Sequence, residues 1–263
     1  MNNTESIKMP VLFVGHGNPM NAIEENEFTK TWNRIGISIP TPQAIICISA
    51  HWETRGTQIT AMSQPRTIHD FGGFPRELFE VEYPAPGNPA LAEELKKQLD
   101  QTAIELDYSD WGLDHGTWSV VKHIYPKANI PIIQISLNRN QSPKQHYEFA
   151  KNLAYLRKKG ILIIGSGNIV HNLRRVDWQN QNSGFDWAQE ANQQMKSWIT
   201  DGNHQALIDY QKQGTTFDLA IPTPEHYLPL LYALALQNNS DKISFFNDEL
   251  VMGSLSMTSV MIG

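Results

Sequence analysis

The chain has 263 residues, of which 40% are hydrophobic and 18% charged, and this composition excludes a largely disordered protein. Lys and Arg together number 21 against 27 for Asp and Glu, so the formal net charge is −6. The sequence has no basic patch or stripe, and we therefore expect no nucleic-acid partner. Because no stretch resembles a linker, we predict a single domain over residues 1–263.

The N-terminus and the cysteine content indicate the cellular compartment. Residues 1–10 lack the charged and then apolar segments of a signal peptide. The longest apolar stretches, such as residues 228–236, are too short to cross a membrane. Cys47 has no second cysteine to pair with and lies in an apolar run, so we expect a buried, unreactive thiol. The sequence thus predicts a cytoplasmic protein without a membrane partner.

Short runs rich in β-branched residues alternate with helical segments, a pattern typical of strands buried on both faces. We predict strands at residues 11–14, 45–50, 132–136, 161–164, 242–247 and 251–257. Helices are predicted to start at Asn88-Pro89, Ser142-Pro143 and Thr223-Pro224, where a capping side chain precedes a proline. The second helix should end at Gly160, and the third should be kinked at Pro229. These elements predict an α/β sandwich with a central, mostly parallel or mixed sheet flanked by helices.

Four of the nine histidines fall where a predicted strand ends or a predicted helix begins. His16, His51 and His171 follow the first, second and fourth strands, and His226 lies in the first turn of the third helix. Because loops at the carboxyl edge of an open α/β sheet converge, we expect these side chains to lie close together. A fifth histidine, His115, precedes an amphipathic helix and has glycine beside it.

A cluster of histidines suits a divalent metal, because neutral imidazole binds zinc, iron, copper or nickel. Three protein ligands with an open position indicate a catalytic site, whereas a closed set of four indicates structural zinc. A single histidine after a strand is more often hydrogen-bonded or exposed than a ligand, but four at one edge are harder to explain that way. His69, in a segment rich in glycine and aromatic residues, either lines a pocket or anchors its own loop.

Several common catalytic motifs are absent from the sequence. Gly165-Ser166-Gly167 lacks the third glycine of a dinucleotide-binding loop, and no Gly-Lys-Ser/Thr phosphate loop occurs. Neither the Gly-x-Ser-x-Gly elbow of serine hydrolases nor the His-Glu-x-x-His motif of zinc proteases is present.

Six segments, taken in order, are specific to one family. They are Gly-His-Gly-Asn-Pro-Met (15–20), Ser-Ala-His-Trp (49–52), His-Asp-Phe (69–71), Asp-His-Gly-Thr-Trp (114–118), Gly-Ser-Gly-Asn with His-Asn-Leu-Arg (165–168 and 171–174), and Thr-Pro-Glu-His-Tyr-Leu-Pro (223–229). Together they closely resemble the 4,5-DOPA extradiol dioxygenase family, which belongs to the class III (LigB-type) ring-cleaving dioxygenases.

The resemblance implies a LigB-like domain holding one non-haem Fe(II), which zinc often replaces in purified protein. By motif, His16, His51 and His226 resemble the metal ligands, and His171 resembles either a fourth ligand or the acid–base residue. His115 resembles the histidine that contacts substrate, and with His171 it completes the catalytic pair that the family implies.

The segment at residues 223–229 contains both a carboxylate and an imidazole that could bind the metal. Related LigB-type enzymes use two histidines and a carboxylate, so the resemblance leaves Glu225 as an alternative to His226. Adjacent residues at a helix start point about 100° apart, which allows only one of them to face a metal readily. We favour His226.

The resemblance also implies the reaction and its partners. The expected activity is extradiol cleavage of a catechol, such as the 4,5-cleavage of L-DOPA, with O2 as co-substrate. Trp52, His69 and Phe71 lie in or beside the motifs and are candidate substrate-binding residues. No coiled-coil pattern or exposed seam indicates a dimer, so we expect a monomer or weak oligomer.

Three other interpretations keep the histidine site but change its purpose. A zinc hydrolase would use metal-bound hydroxide with Glu53 or Glu225 as the base. A metal-containing binding protein would retain the pocket without any activity. A structural zinc would hold the loops together, and its removal would unfold the chain.

Overall fold

The computed structural model describes residues 8–99, 103–179 and 181–263, in which strands and helices alternate. The strands are β1 (Val11–Gly15), β2 (Ala44–Ser49), β3 (Glu53–Thr54), β4 (Thr57–Thr60), β5 (Ile104–Asp107), β6 (Ile132–Gln134), β7 (Leu137–Asn138), β8 (Ile161–Gly167), β9 (Ile243–Phe246), β10 (Leu250–Val251), β11 (Leu255–Ser256) and β12 (Ser259–Ile262). The α-helices are α1 (Glu27–Ser38), α2 (Arg76–Phe79), α3 (Pro89–Gln98), α4 (His115–Ile124), α5 (Pro143–Lys151), α6 (Asp186–Thr200), α7 (His204–Ile208), α8 (Thr215–Ala220) and α9 (Leu228–Ala235).

Six strands form the central sheet in the order β6-β2-β8-β1-β12-β9. β6, β2, β8 and β1 run parallel, whereas β12 is antiparallel to both of its neighbours. The predicted fold class, α/β with a mostly parallel or mixed sheet flanked by helices, is confirmed. The carboxyl ends of β2, β8 and β1 lie side by side at one edge, which is where the functional loops emerge.

The parallel strands bury both of their faces, which explains their continuous apolar sequences. Val11 and Phe13 of β1 pack into one core with α3, α5, α6 and α9, while Leu12 and Val14 pack into a second core with α1 and α4. Cys47 of β2 is buried in that second core, as predicted. Among the residues described, no helix is long and apolar enough to span a membrane.

Two of the helix start signals are confirmed. The side chain of Asn88 accepts a hydrogen bond from the Leu91 N–H at the start of α3, and Ser142 accepts one from the Gln145 N–H at the start of α5. After α5 a 3₁₀ turn follows and ends at Gly160, whose φ of 74° is left-handed. The predicted end of this helical segment is therefore also confirmed.

The third helix begins later than the sequence suggests. The Thr223 hydroxyl donates to the Glu225 carboxylate at 2.7 Å rather than capping a helix, and residues 225–227 form a turn. α9 starts at Leu228, so Pro229 occupies its first turn, where a missing N–H costs no hydrogen bond. The predicted start at Thr223 and the kink at Pro229 are wrong, and His226 lies in the turn before the helix.

The single strand predicted over residues 251–257 is also wrong. The segment forms a hairpin of the two-residue strands β10 and β11, and the last strand of the sheet starts at Ser259. Met252 and Gly253 turn the chain with φ values of 50° and 76°. A Cβ at Gly253 would lie 2.5 Å from the Phe185 ring, so glycine is needed there for space as well. Apolar residues on both sides of this tight turn imitate one continuous strand in the sequence.

A buried ion pair lies at the edge of the sheet where β1, β8 and β9 begin. Arg157 donates to both carboxylate oxygens of Asp241, at 2.6 and 3.1 Å, and Lys8 donates to Asp241 at 2.6 Å. Arg157 also donates to the carbonyls of Met9 and Ile262. Burial opposes ionisation of Asp241, but its hydrogen bonds with Arg157 and Lys8 lower its pKa to about 2.

We expect Asp241→Asn to lower the free energy of unfolding at pH 7 by about 2–4 kcal/mol, because the Arg157 charge loses its buried partner. The folded pKa lies below the unfolded value of about 3.9, so this stabilisation is complete above about pH 4 and is lost as the pH falls towards 2. Urea unfolding of both proteins at several pH values measures this difference. Asp218→Asn, at an exposed position, is the control; a difference for Asp241→Asn that stays constant down to pH 2.5 contradicts the prediction.

Candidate functional site

Histidines follow three adjacent parallel strands at the carboxyl edge of the sheet. His16 comes directly after β1, His51 lies two residues after the end of β2, and His171 lies four residues after the end of β8. The backbone N–H of His16 donates to the Gly167 carbonyl at 3.0 Å, and that of His171 donates to the Ala220 carbonyl at 2.9 Å. These bonds fix the loops that carry the imidazoles.

His226 reaches the same edge from the turn before α9. Its carbonyl accepts the Asn168 N–H at 2.8 Å, directly beyond the end of β8. A Cβ at Gly167 would lie 2.1 Å from this carbonyl, so only glycine allows so close an approach. His115 arrives as the first residue of α4, whose preceding Asp114 accepts the Thr117 N–H as the helix cap.

The structure brings these five imidazoles into one cluster. The ring centroids of His16, His51 and His226 form a nearly regular triangle with separations of 5.0, 5.0 and 5.3 Å. His171 stacks on His226 with a centroid distance of 3.5 Å and an interplanar angle of 6°. His115 lies beside His51 at 3.9 Å.

Hydrogen bonds fix the tautomer of His16. The Ser166 hydroxyl donates its only proton to the Gly116 carbonyl at 2.5 Å. Nδ1 of His16 lies 3.0 Å from the same hydroxyl oxygen, which can only accept there, so Nδ1 carries the proton. The Nε2 atom of His16 therefore carries a lone pair. This nitrogen lies 3.2 Å from Nε2 of His51.

Carboxylates lie beside Nδ1 of His51, His115 and His226. Asp70 Oδ2 lies 3.4 Å from Nδ1 of His51 and 2.9 Å from Nδ1 of His115, and Asp70 Oδ1 accepts the backbone N–H of His115. Glu225 Oε1 accepts the Nδ1–H of His226 at 3.1 Å. This is the usual way in which outer groups orient metal-binding histidines, with Nε2 left for the ion.

Burial keeps the imidazoles of His16, His51, His171 and His226 neutral at physiological pH. Burial lowers the pKa of His51 to about 3 and that of His171 to about 4. Burial, reinforced by the neighbouring imidazoles, holds the pKa values of His16 and His226 well below the ordinary value. Neutral rings have the lone pairs that a metal requires.

The donor set fits one divalent transition-metal ion. Two nitrogens bound to the same ion at about 2.1 Å lie about 3.0–3.4 Å apart for angles between octahedral and tetrahedral. The 3.2 Å between Nε2 of His16 and Nε2 of His51 matches this range. Among the residues that the structure describes, possible ligand atoms lie within 4.8 Å of one another in His16–His51–His115 and in His171–Glu225–His226.

A cavity of about 310 Å³ opens over the histidine cluster, and its volume is suited to a small ligand. Its lining residues are His16, Gly17, Asn18, Pro19, His51, Asp70, Phe71, Phe74, His115, His171, Leu173, Trp178, His226, Met252 and Leu255. Polar ring nitrogens thus lie at the base of a pocket whose walls are apolar and aromatic.

Known proteins are similar to this chain over almost its whole length. Residues 11–262 match the family described as the catalytic LigB subunit of aromatic ring-opening dioxygenase. The chain belongs to the LigB dioxygenase family. Membership of this family implies a metal cofactor, an aromatic substrate and O2, and the buried histidines can supply the metal ligands.

Relatives within the LigB family bear names that specify a substrate. The chain is 47% identical to 4,5-DOPA dioxygenase extradiol of Escherichia coli K12, over 98% of this chain and 96% of that protein. It is 32% identical to 4,5-DOPA dioxygenase extradiol of Beta vulgaris, with 98% of each chain covered. The crystal structure of an uncharacterized protein from Escherichia coli K12 superposes with a TM-score of 0.85 at 43% identity, covering 97% of this chain and 100% of that one.

The residues proposed from sequence as substrate contacts occupy different places. Phe71 lines the cavity beside His115, with their ring centroids 5.4 Å apart. Trp52 is buried outside the cavity lining and stacks on Trp111 at 5.7 Å. His69 also lies outside the lining, where its Nε2 donates to a backbone carbonyl, that of Val81.

Sequence reasoning missed several residues of the site. Asp70 and Ser166 belong to two of the six family segments, but only the fold shows that their side chains lie beside Nδ1 of His115 and of His16. Trp178 and Met252 line the cavity from segments that carry no motif. The polar neighbours of Trp178 and the strand-like sequence around Met252 do not indicate a site, because the approach of both residues to the cavity depends on contacts far apart in the chain.

We expect Glu225→Gln to weaken metal binding about 10–100-fold, because the neutral amide holds Nδ1 of His226 less strongly than a carboxylate. Competition with a chelator of known affinity measures the change. Glu190→Gln, at an exposed position of α6, is the matched control and should bind metal as the native protein does. Complete loss of metal from Glu225→Gln would instead indicate that the carboxylate is itself a ligand.

Proposed function

We propose that this protein cleaves the aromatic ring of a catechol outside its two hydroxyl groups, with Fe(II) and O2, and that L-DOPA is one candidate substrate. One observation supports this most strongly. Three imidazoles have Nδ1 beside a hydroxyl or a carboxylate, the Nε2 atoms of two of them lie 3.2 Å apart, and a histidine without such a partner stands beside them in a pocket large enough for one aromatic ring.

His16, His51 and His226 are the proposed metal ligands. Ligands bound at about 2.1 Å place ring centroids about 4.5–5.2 Å apart, and this triad has the even spacing of 5.0–5.3 Å. The alternative triad with His115 is uneven, because His115 is 3.9 Å from His51 and 5.8 Å from His16. When bound, Fe(II) lowers the pKa of a catechol hydroxyl and makes O2 reactive towards the ring. Zinc is expected to occupy the same nitrogens in purified protein.

His171 is the proposed acid–base residue. Within the described part of the chain, neither of its ring nitrogens forms a hydrogen bond, so the neutral ring is available to a ligand in the cavity. It can accept a proton from the second catechol hydroxyl and return it later in the reaction. Stacking on His226 holds the ring in place. It is therefore positioned beside the proposed metal ligands without needing to be one of them.

His115 and the aromatic wall are proposed to orient the substrate. Asp70 holds Nδ1 of His115, which leaves its Nε2 for a substrate oxygen. Phe71 is proposed to pack against the ring of the substrate and to exclude water from it. Trp52 and His69 are proposed to support this wall from behind, since both stand outside the lining.

Oxygen consumption tests the proposal. Protein loaded anaerobically with Fe(II) is mixed with air-saturated L-DOPA and a panel of small catechols, and zinc-loaded protein is the control. We expect iron-dependent O2 uptake and a yellow ring-opened product. Folded, iron-loaded protein that consumes no O2 with any catechol would contradict the proposal.

A further inference from the structure

One carboxylate lies beside two histidines of the cluster. Asp70 Oδ2 lies 2.9 Å from Nδ1 of His115 and 3.4 Å from Nδ1 of His51, and the centroids of the two rings are 3.9 Å apart. Among the cavity-lining residues in the described ranges, Asp70 is the one carboxylate. A single group thus faces both a proposed metal ligand, His51, and the histidine that is proposed to orient the substrate, His115.

Backbone contacts fix the position of this carboxylate. The Ile68 N–H donates to the Leu113 carbonyl at 2.7 Å, and the Ile68 carbonyl accepts the indole N–H of Trp118 at 2.8 Å. Asp70 follows two residues later, and its Oδ1 atom accepts the backbone N–H of His115 at 2.9 Å. Since a backbone N–H can only donate, Oδ1 must remain an acceptor, and Oδ2 is the oxygen that is left for the imidazoles.

The charge of Asp70 influences where the ring protons lie. Burial opposes ionisation of Asp70, but its contacts with His115 and His51 lower its pKa below the ordinary value, so the group is a carboxylate at neutral pH. A carboxylate only accepts hydrogen bonds, whereas a neutral imidazole has one N–H and one lone pair. The nearby charge therefore favours a proton on Nδ1 of His115, which leaves the lone pair on Nε2. It favours the same tautomer of His51 from the longer distance of 3.4 Å.

In His51 a second arrangement competes with this one. Its Nε2 atom lies 3.2 Å from Nε2 of His16, which carries a lone pair, so a proton on Nε2 of His51 could be donated to His16. That tautomer would block metal binding, because the nitrogen needed as a ligand would carry the proton. The carboxylate of Asp70 opposes this arrangement, because it attracts the proton to Nδ1.

We propose that Asp70 is a positioning residue that sets the tautomers of two histidines at once. It keeps the lone pair of His51 on Nε2 for the metal, and it makes Nε2 of His115 an acceptor for a hydroxyl group of the catechol. This inference rests on the proposed function and deepens it. A catechol has two hydroxyl protons, and the cavity then has one acceptor for each, His115 for the first and His171 for the second.

Asp70→Asn tests this role, because an amide has the shape of a carboxylate but donates from one of its two ends. The amide oxygen must take the place of Oδ1, since the backbone N–H of His115 can only donate. The NH2 group then faces Nδ1 of both rings, and each Nδ1 has to accept, so the ring protons move to Nε2. As a result His51 bonds with His16 instead of a metal, and His115 becomes a donor.

The tautomer of His115 can be measured directly. In metal-free protein labelled with ¹⁵N at histidine, the ring nitrogen shifts distinguish an N–H from a lone pair, and the His115→Gln variant identifies the signals of His115. We expect the proton on Nδ1 in the native protein and on Nε2 in Asp70→Asn. The control Asp218→Asn, at an exposed position, should keep the native pattern. A native His115 with its proton on Nε2, or an unchanged tautomer in Asp70→Asn, would overturn the proposal.

Two affinities separate the effects on the two histidines. Asp70→Asn should weaken zinc binding about 10–100-fold in chelator competition, both alone and combined with His115→Gln, because this effect acts through His51. It should weaken the binding of 4-methylcatechol to zinc-saturated protein about fivefold to tenfold, but not when it is combined with His115→Gln, because this effect acts through His115. A native zinc affinity in Asp70→Asn, or a catechol effect that persists without His115, contradicts the shared role.

Failure of the proposed function gives a different pattern of results. Native, iron-loaded protein would then consume no O2 with any catechol, while the tautomer of His115 and the zinc affinities would still show whether Asp70 controls the two rings. Conversely, iron-dependent O2 uptake by the native protein together with an unchanged tautomer in Asp70→Asn would support the function and overturn the role of Asp70.

Discussion

Replacing His16 with alanine should leave the purified protein with almost no bound metal and no measurable ring cleavage. The Nε2 atom of His16 lies 3.2 Å from that of His51, and both face the same point. With only two of the three nitrogens left, the site has too few ligands to retain a divalent ion in competition with water and buffer molecules. The metal content of His16→Ala, measured after incubation with Fe(II) or Zn(II) and removal of free ion, tests this directly.

A histidine outside the cluster provides the control. His204 is half-buried and bonds with Tyr147 and Gln237, so its replacement by alanine removes a comparable side chain without touching the cavity. His204→Ala should retain a full equivalent of metal. Normal metal content in His16→Ala would contradict the assignment of this ligand.

The same measurement distinguishes two possible triads. His226→Ala should lose metal as His16→Ala does, whereas His115→Ala should retain it and lose activity. The reverse result would assign the ion to the tighter group of His16, His51 and His115. Either outcome is informative, because His115 and His226 both lie near His51, with ring centroids 3.9 and 5.0 Å from it, and only one of them completes each triad.

The histidine positions could be predicted because they depend on strand ends. A buried parallel strand is recognised from its run of β-branched residues, and the residue after it stands at the carboxyl edge whatever the details of packing. That rule alone places His16, His51 and His171 close together. The prediction for His226 gives the correct edge of the sheet, although it depends on a helix that starts at Thr223. In the structure His226 lies in a turn, and the helix starts only at Leu228.

The walls of the cavity could not be predicted in the same way. Met252 stands at a hairpin tip that the sequence disguises as a strand, and it meets the cavity through bonds to Asp177 and Gln181. Trp178 has polar neighbours in the sequence, and nothing in that pattern indicates that it lines the cavity. Trp52 and His69 each neighbour a site residue in the sequence, but neither side chain is part of the cavity lining.

Replacing His171 with alanine should separate chemistry from metal binding. We expect the variant to keep its metal while kcat falls about 10²–10⁴-fold, the usual effect of removing a general acid–base group. The reason is geometric: Nδ1 of each proposed ligand lies within 3.4 Å of a hydroxyl or carboxylate oxygen, whereas the ring of His171 is held by stacking on His226 at 3.5 Å. Metal content and kcat of one preparation, measured together, test the expectation.

Loss of the stacked ring could itself disturb His226, and His171→Phe controls for this effect. A phenyl ring can maintain the stacking but cannot accept a proton, so both variants should keep metal and lose turnover to a similar extent. If His171→Ala loses as much metal as His16→Ala, His171 is a fourth ligand and a different residue moves the proton. His115 is then the nearest alternative, because it lines the same cavity with Nδ1 held by Asp70.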